Sequence, residues 1–202
     1  MSTSNTPSNA PALERPLAAH AASQDYLRLA RASNEELLRV MVRGQRPDPE
    51  ALDGWMFRGT NTPGWAKLLG IKKFVKGFYR GAPQVVQRDG SGPMFGYNAA
   101  VRQNSLEQPW EFKPHADDPK PFGFYSVTEV DATAHDNEHL NALLLDYGQG
   151  RNPLSDPSKV LRDYIVRAYP ERDDILLGRA FVALGPKRIG TNFFVLERMR
   201  RY

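Results

Sequence analysis

The 202-residue chain has no cysteine. That excludes disulfides, a thiolate nucleophile and Cys-ligated zinc, without choosing a compartment. No run of about 20 apolar residues occurs, so no segment qualifies as a membrane-spanning helix. The opening stretch MSTSNTPSNAPALERPLAAHAAS lacks a basic start and an apolar core of roughly 7–15 residues, so no secretory signal is expected and the default location is cytoplasmic. A large excess of either charge is lacking: the net charge is +4, which permits an anionic partner and demands none. P-loop, GxGxxG and GxSxG elements are missing, which removes common signatures of nucleotide binding and serine hydrolysis.

Glycine and proline are plentiful, sixteen of each and spread along the chain, which favours frequent turns over long helices. Residues 1–22 are rich in Ser, Asn, Pro and Ala and are expected to form a flexible tail, with His20 merely solvated. Residues 23–202 are expected to form one domain. Ser23 is placed to cap a short helix carrying Tyr26, Leu27 and Ala30 on one face. Ser33 and Glu36 form a capping box ahead of a second helix, which carries Leu37, Leu38 and Met41 and ends at Gly44 before Pro47. These helices are expected to cover one side of a sheet.

From Trp55 the apolar pattern changes to period two. Strands are expected at Trp55 to Thr60, Ile71 to Arg80, Val85 to Arg88, Phe95 to Gln103, Trp110 to Lys113, Phe122 to Val130, Leu140 to Tyr147 and Val160 to Ala168, and in a terminal hairpin between Asp174 and Arg198. Both strands of that hairpin are apolar at both parities, which suggests cover on both faces. No long helix separates the strands. The fold expected is mainly β: an antiparallel up-and-down barrel of about 8–10 strands with one or two N-terminal helices, wide enough to hold one small ligand.

Three groups of residues carry a family resemblance: Leu145-Asp146-Tyr147; Asp163 with Leu177-Gly178; and Phe193-Phe194-Val195-Leu196-Glu197-Arg198. Together with a Gly-Trp at the first strand, they resemble a calycin-type (lipocalin-like) barrel, and more narrowly the GXWXG-motif proteins with their companion C-terminal domain. The chain departs from that motif, having Gly54-Trp55-Met56-Phe57-Arg58-Gly59. The resemblance implies a fold with a possible small-molecule pocket and leaves the reaction open. Some calycin-like barrels bind haem, but no histidine follows His139 to serve as an axial ligand.

The leading expectation is therefore binding of a small, largely apolar molecule in the barrel. The ligand-facing set is Trp55, Phe57, Arg58, Tyr97, Tyr125, Tyr147, Arg179, Phe194 and Arg198. An alternative is a cyclase or isomerase using the same pocket, with Asp146, Tyr147, Asp163 or Glu197 as the acid or base. The bland explanation of the charges in the last strands is a cross-strand Arg179–Glu197 pair. A third expectation is an interaction module using Lys67, Lys72, Lys73, Lys76 and Arg80 with Arg198, Arg200 and Arg201. The low net charge argues against nucleic acid, and a solvated barrel exterior explains the same lysines. His135-Asp136-Asn137-Glu138-His139 matches H-x-x-E-H, a zinc motif when helical. Asp and Asn inside it and the missing third ligand favour a hydrated loop, so neither a metal nor a cofactor is expected.

Overall fold

A computed structural model describes residues 21–62, 70–83, 92–116 and 118–201. His20, Trp65, Lys67, the Val85 to Arg88 strand and nearly all of the expected tail lie outside the described residues.

The two expected helices are present. α1 (Gln24–Ala30) is capped by Ser23, and α2 (Asn34–Arg43) carries the Ser33/Glu36 capping box. A third, α3 (Pro49–Leu52), begins at an Asp48 cap with Pro at its first position. Its single turn carries too few residues for an apolar period to announce it.

Eight strands then close a barrel. In chain order they are β1 (Trp55–Asn61), β2 (Lys73–Arg80), β3 (Met94–Ala100), β6 (Pro121–Glu129), β7 (Leu143–Asp146), β8 (Leu161–Tyr169), β9 (Arg172–Leu184) and β10 (Lys187–Arg201). A small ribbon, β4 (Pro114–His115) with β5 (Asp118–Pro119), lies between β3 and β6. The order around the barrel is β1-β10-β9-β8-β7-β6-β3-β2, with every pair antiparallel. The first strand pairs with the last, so the barrel has no free edge. The expected strand at Trp110 to Lys113 contributes only one bridge, Val101 to Phe112.

Two buried clusters separate the faces of the wall. The inner one takes side chains from every strand: Phe57, Phe74, Phe78, Met94, Tyr125, Val127, Leu143, Leu145, Ile165, Leu176, Ala180, Phe194 and Leu196, joined by Leu52 of α3. This is the lumen. The outer cluster joins Tyr26, Leu27, Leu37 and Met41 of the helices to Met56, Val75, Tyr97, Tyr164, Val166, Leu177 and Val195 of the wall. The terminal hairpin is thus covered on both sides: Phe194 and Leu196 fill the lumen while Phe193 and Val195 meet the outer layer.

The two ends of the barrel differ. At the lower end, Leu52 is fully buried and Arg198 donates to the carbonyls of Ala51 and Asp173 at 2.9 and 3.3 Å. At the upper end β1, β3, β7 and β9 finish and β2, β6, β8 and β10 begin.

Candidate functional site

Among the described residues, one polar cluster interrupts the apolar lumen, in its upper half. Lys76 alternates with Phe74 and Phe78 on β2 and shares their inward parity. Asp163 lies two residues before inward-facing Ile165 on β8, and Asn98 lies on β3 opposite Lys76. Tyr147 follows β7 in a 3-10 turn, Tyr147–Gln149. Asp146 caps that turn by accepting from the Gly148 amide at 2.7 Å, so the turn aims the Tyr147 ring inward.

The four side chains bond to one another. The Lys76 ammonium reaches Asp163 Oδ2 at 3.1 Å, Asn98 Oδ1 at 3.0 Å and Tyr147 Oη at 2.5 Å. The Tyr147 hydroxyl donates to Asp163 Oδ2 at 3.1 Å and accepts from Asn98 Nδ2 at 3.1 Å. Asn98 Nδ2 also donates to the Gly123 carbonyl at 3.0 Å. All three ammonium protons have an acceptor, as a buried charge requires. Four ring centroids surround Lys76 Nζ: Tyr125 at 4.6 Å, Tyr147 at 5.1 Å, Phe194 at 5.3 Å and Phe74 at 5.7 Å. Rings at this range stabilise a cation through their quadrupoles.

Glycines make room for three of these rings. Gly59 is paired with Phe74, Gly96 with Tyr125 and Gly178 with Phe194 across adjacent strands. A Cβ at each glycine would fall 2.0–2.3 Å from the facing ring. The rings therefore lie along the wall and frame the lysine.

Burial sets the electrostatics. It lowers the Lys76 pKa, and Asp163 opposes that shift. Burial raises the Tyr147 hydroxyl well above its ordinary 10.0, and the Asp163 charge raises it further. The tyrosine is therefore a neutral donor at neutral pH, beside an ammonium whose charge burial disfavours and Asp163 supports.

Of the residues expected to face a ligand or to act on it, Phe57, Tyr125, Tyr147, Asp163 and Phe194 do meet in or at the lumen. Others lie elsewhere. Trp55 stands at the lower rim beneath Arg198 and Arg201, at 4.8 and 4.7 Å from ring to guanidinium. Tyr97 belongs to the outer layer. Asp146 pairs with Arg162 at 2.9 Å, and burial raises its pKa against the pull of that arginine. Arg179 packs outside, over Phe181 and Phe193. Glu197 does not pair with Arg179. Its cross-strand partner on β1 is Arg58, at 3.4 Å, and both its oxygens accept from the Ser23 amide at 3.2 and 3.3 Å. The pair thus holds the N-terminus of α1 on the barrel.

Lys76 and Asn98 were the residues missed. The signal for Lys76 was its parity with Phe74 and Phe78; as one of a basic group, it read as solvated exterior. The structure corrects that for two of the lysines. Lys73 and Lys76 are 1% and 2% exposed. Lys73 Nζ is caged by the Asn104 side chain, the carbonyls of Ser105, Gln108 and Pro109, and the Trp110 ring at 3.7 Å. The H-x-x-E-H segment is irregular and its side chains diverge. Asp136 binds Arg162 and Arg188, His135 is exposed, and His139 packs on Tyr164 and Phe181. Among the described residues no group of three or more His, Asp or Glu could hold a metal ion.

The molecule is thus an eight-stranded closed antiparallel barrel, compatible with a calycin-like fold, whose lumen holds a polar cluster among aromatic rings. Comparison of the chain with protein-family models, curated proteins and solved structures gave no match.

Proposed function

We propose that the barrel binds a small, largely apolar molecule in its lumen, with the Lys76–Asp163–Tyr147–Asn98 cluster holding the molecule's polar end. The carrying observation is a fully buried, hydrogen-bonded ion pair inside an otherwise apolar lumen. Replacing a buried ion pair by well-packed apolar residues is often neutral or stabilising, so stability alone gives little reason to place one there. An apolar chamber with a few convergent polar groups is the usual composition of a small-molecule site. The resemblance to GXWXG-motif proteins belongs to this proposal and agrees with it. The lumen rings meet edge to face, with centroids of Phe57–Phe78 at 5.5 Å and Phe74–Phe194 at 5.9 Å. A guest must therefore swing at least one ring aside.

Native mass spectrometry of the purified chain tests this. The expected result is a small molecule retained under native conditions, lost on denaturation, and weakened in Tyr147→Phe. A chain that purifies empty and shows no saturable binding of an apolar fluorophore such as anilinonaphthalene sulfonate would overturn it.

A second reading is an isomerase or cyclase in the same chamber. It is favoured by Tyr147 Oη touching both Lys76 and Asp163, which gives one hydroxyl a proton donor and a proton acceptor as neighbours. Tyr147→Phe would then abolish turnover of the retained molecule while leaving it bound. Parallel loss of binding and turnover would instead indicate a binding role.

A further inference from the structure

Nine large hydrophobic side chains are exposed among the described residues, and six of them stand at the upper end of the barrel. Ile71 precedes β2, Phe122 opens β6, Leu154 and Val160 lie in the β7–β8 connection, and Leu184 and Ile189 flank the β9–β10 turn. Leu154 is 94% exposed and the other five between 42% and 54%. The lower end shows no such rim among the described residues; the remaining three, Leu38, Val42 and Leu140, are on α2 and the β6–β7 connection.

Cations are interleaved with this rim. Lys72 follows Ile71, Lys120 lies two residues before Phe122, Arg151 three before Leu154, Lys159 directly before Val160, and Lys187 between Leu184 and Ile189. Lys72, Lys120, Arg151 and Lys187 are exposed, and Lys159 donates to the Asn152 carbonyl at 3.3 Å. Among the described residues the acids at this end are Glu107, Glu111, Asp118, Asp136, Asp146 and Asp156, of which Asp136 pairs with Arg162 and Arg188 and Asp146 with Arg162. Glu107 pairs with Arg31, Glu111 pairs with Arg102, and Asp156 caps the turn before β8. The charge presented alongside the apolar side chains is therefore mainly positive.

We propose that this upper rim docks on an anionic lipid surface. Apolar side chains would enter the boundary between headgroups and acyl chains while the adjoining lysines meet the anionic headgroups. An exposed apolar patch rimmed by charge is the mark of an interaction surface. Its cationic character selects the anionic bilayer over an uncharged partner. The proposal rests on the surface alone, so it can fail without the lumen proposal failing, and the reverse.

The test is sedimentation of the full chain with phosphatidylcholine vesicles, with and without phosphatidylglycerol, at low and high salt. The expected result is pelleting with the phosphatidylglycerol vesicles at low salt and release at high salt. Lys120→Ala with Lys187→Ala should weaken partitioning by roughly thirtyfold, and Leu154→Ser with Ile189→Ser should abolish it. These side chains are exposed, so unchanged melting would show that both variants fold. Leu38→Ser with Val42→Ser, on α2, should pellet like the parent. Failure to pellet with anionic vesicles, or pelleting indifferent to the rim substitutions, would overturn the proposal. So would a dimer, seen by light scattering, that the rim substitutions dissociate in a chain that ignores vesicles.

Discussion

Lys76 and His139 are the residues whose surroundings make measurable demands. Lys76→Met keeps an unbranched apolar stem but strands Asp163, a buried carboxylate, without its cation. Breaking a buried pair from one side costs about 3–5 kcal/mol, and denaturant melts should show a loss of that size. Lys76→Met combined with Asp163→Leu should regain most of it, because neither charge then remains; a double variant no better than the single one would show the pair is not coupled. His139 packs against Tyr164 and Phe181, and burial, assisted by Arg179, pushes its pKa down from 6.5 to about 4. Between those values the unfolded chain binds the proton and the folded chain does not. The histidine's contribution is therefore full above pH 6.5 and is lost as pH falls toward 4. Because the ring is only partly buried, the expected loss is about 1–2 kcal/mol. His139→Phe should flatten that part of the pH profile, and an unchanged slope would exclude His139 as its source.

Among the elements, the terminal hairpin carries the most informative geometry. Gly178 on β9 lies under the Phe194 ring of β10, and a Cβ there would come within 2.0 Å of it. Gly178→Ala should cost about 1–3 kcal/mol through overpacking, read as a lower melting midpoint. A neutral outcome would mean that the ring can move freely, which would itself favour a lumen able to admit a guest. The helices are separable by their caps. Ser33→Ala removes the acceptor for the Glu36 amide and the donor to its carboxylate, and about 1 kcal/mol is expected. α1 is instead held from the barrel side by Glu197, so its docking depends on the Arg58–Glu197 pair as well as on its own sequence.

At the scale of the molecule, closure of β1 on β10 leaves no strand of the barrel at an edge. The amides of β1 and β10 should then exchange with solvent at the same free energy as those of β8 and β9, opening only with global unfolding. Markedly faster exchange at the β1–β10 seam would show that closure is marginal. Closure also divides the residues between an inner and an outer layer, and this division decided the fate of the expected site. Phe57, Tyr125, Tyr147, Asp163 and Phe194 fell on the inner side, whereas Arg58, Tyr97, Arg179 and Glu197 fell outside.

What the sequence alone determined was local. Period-two alternation, turn residues and caps are written into neighbouring positions, so the eight barrel strands, both longer helices and the two-faced hairpin were legible without coordinates, whereas the strand expected at Trp110 to Lys113 was not formed beyond one bridge. Which parity faces the lumen is a different kind of property. A strand apolar at both parities reads alike from either side, and only closure of the barrel assigns one side to the interior. For the same reason the shared parity of Lys76 with Phe74 and Phe78 left its direction open until the wall curved, leaving Lys72 exposed, Lys73 caged beside Trp110 and Lys76 within reach of Asp163 on β8. A buried charge persists only where partners from distant strands converge on it, and convergence is decided by tertiary structure.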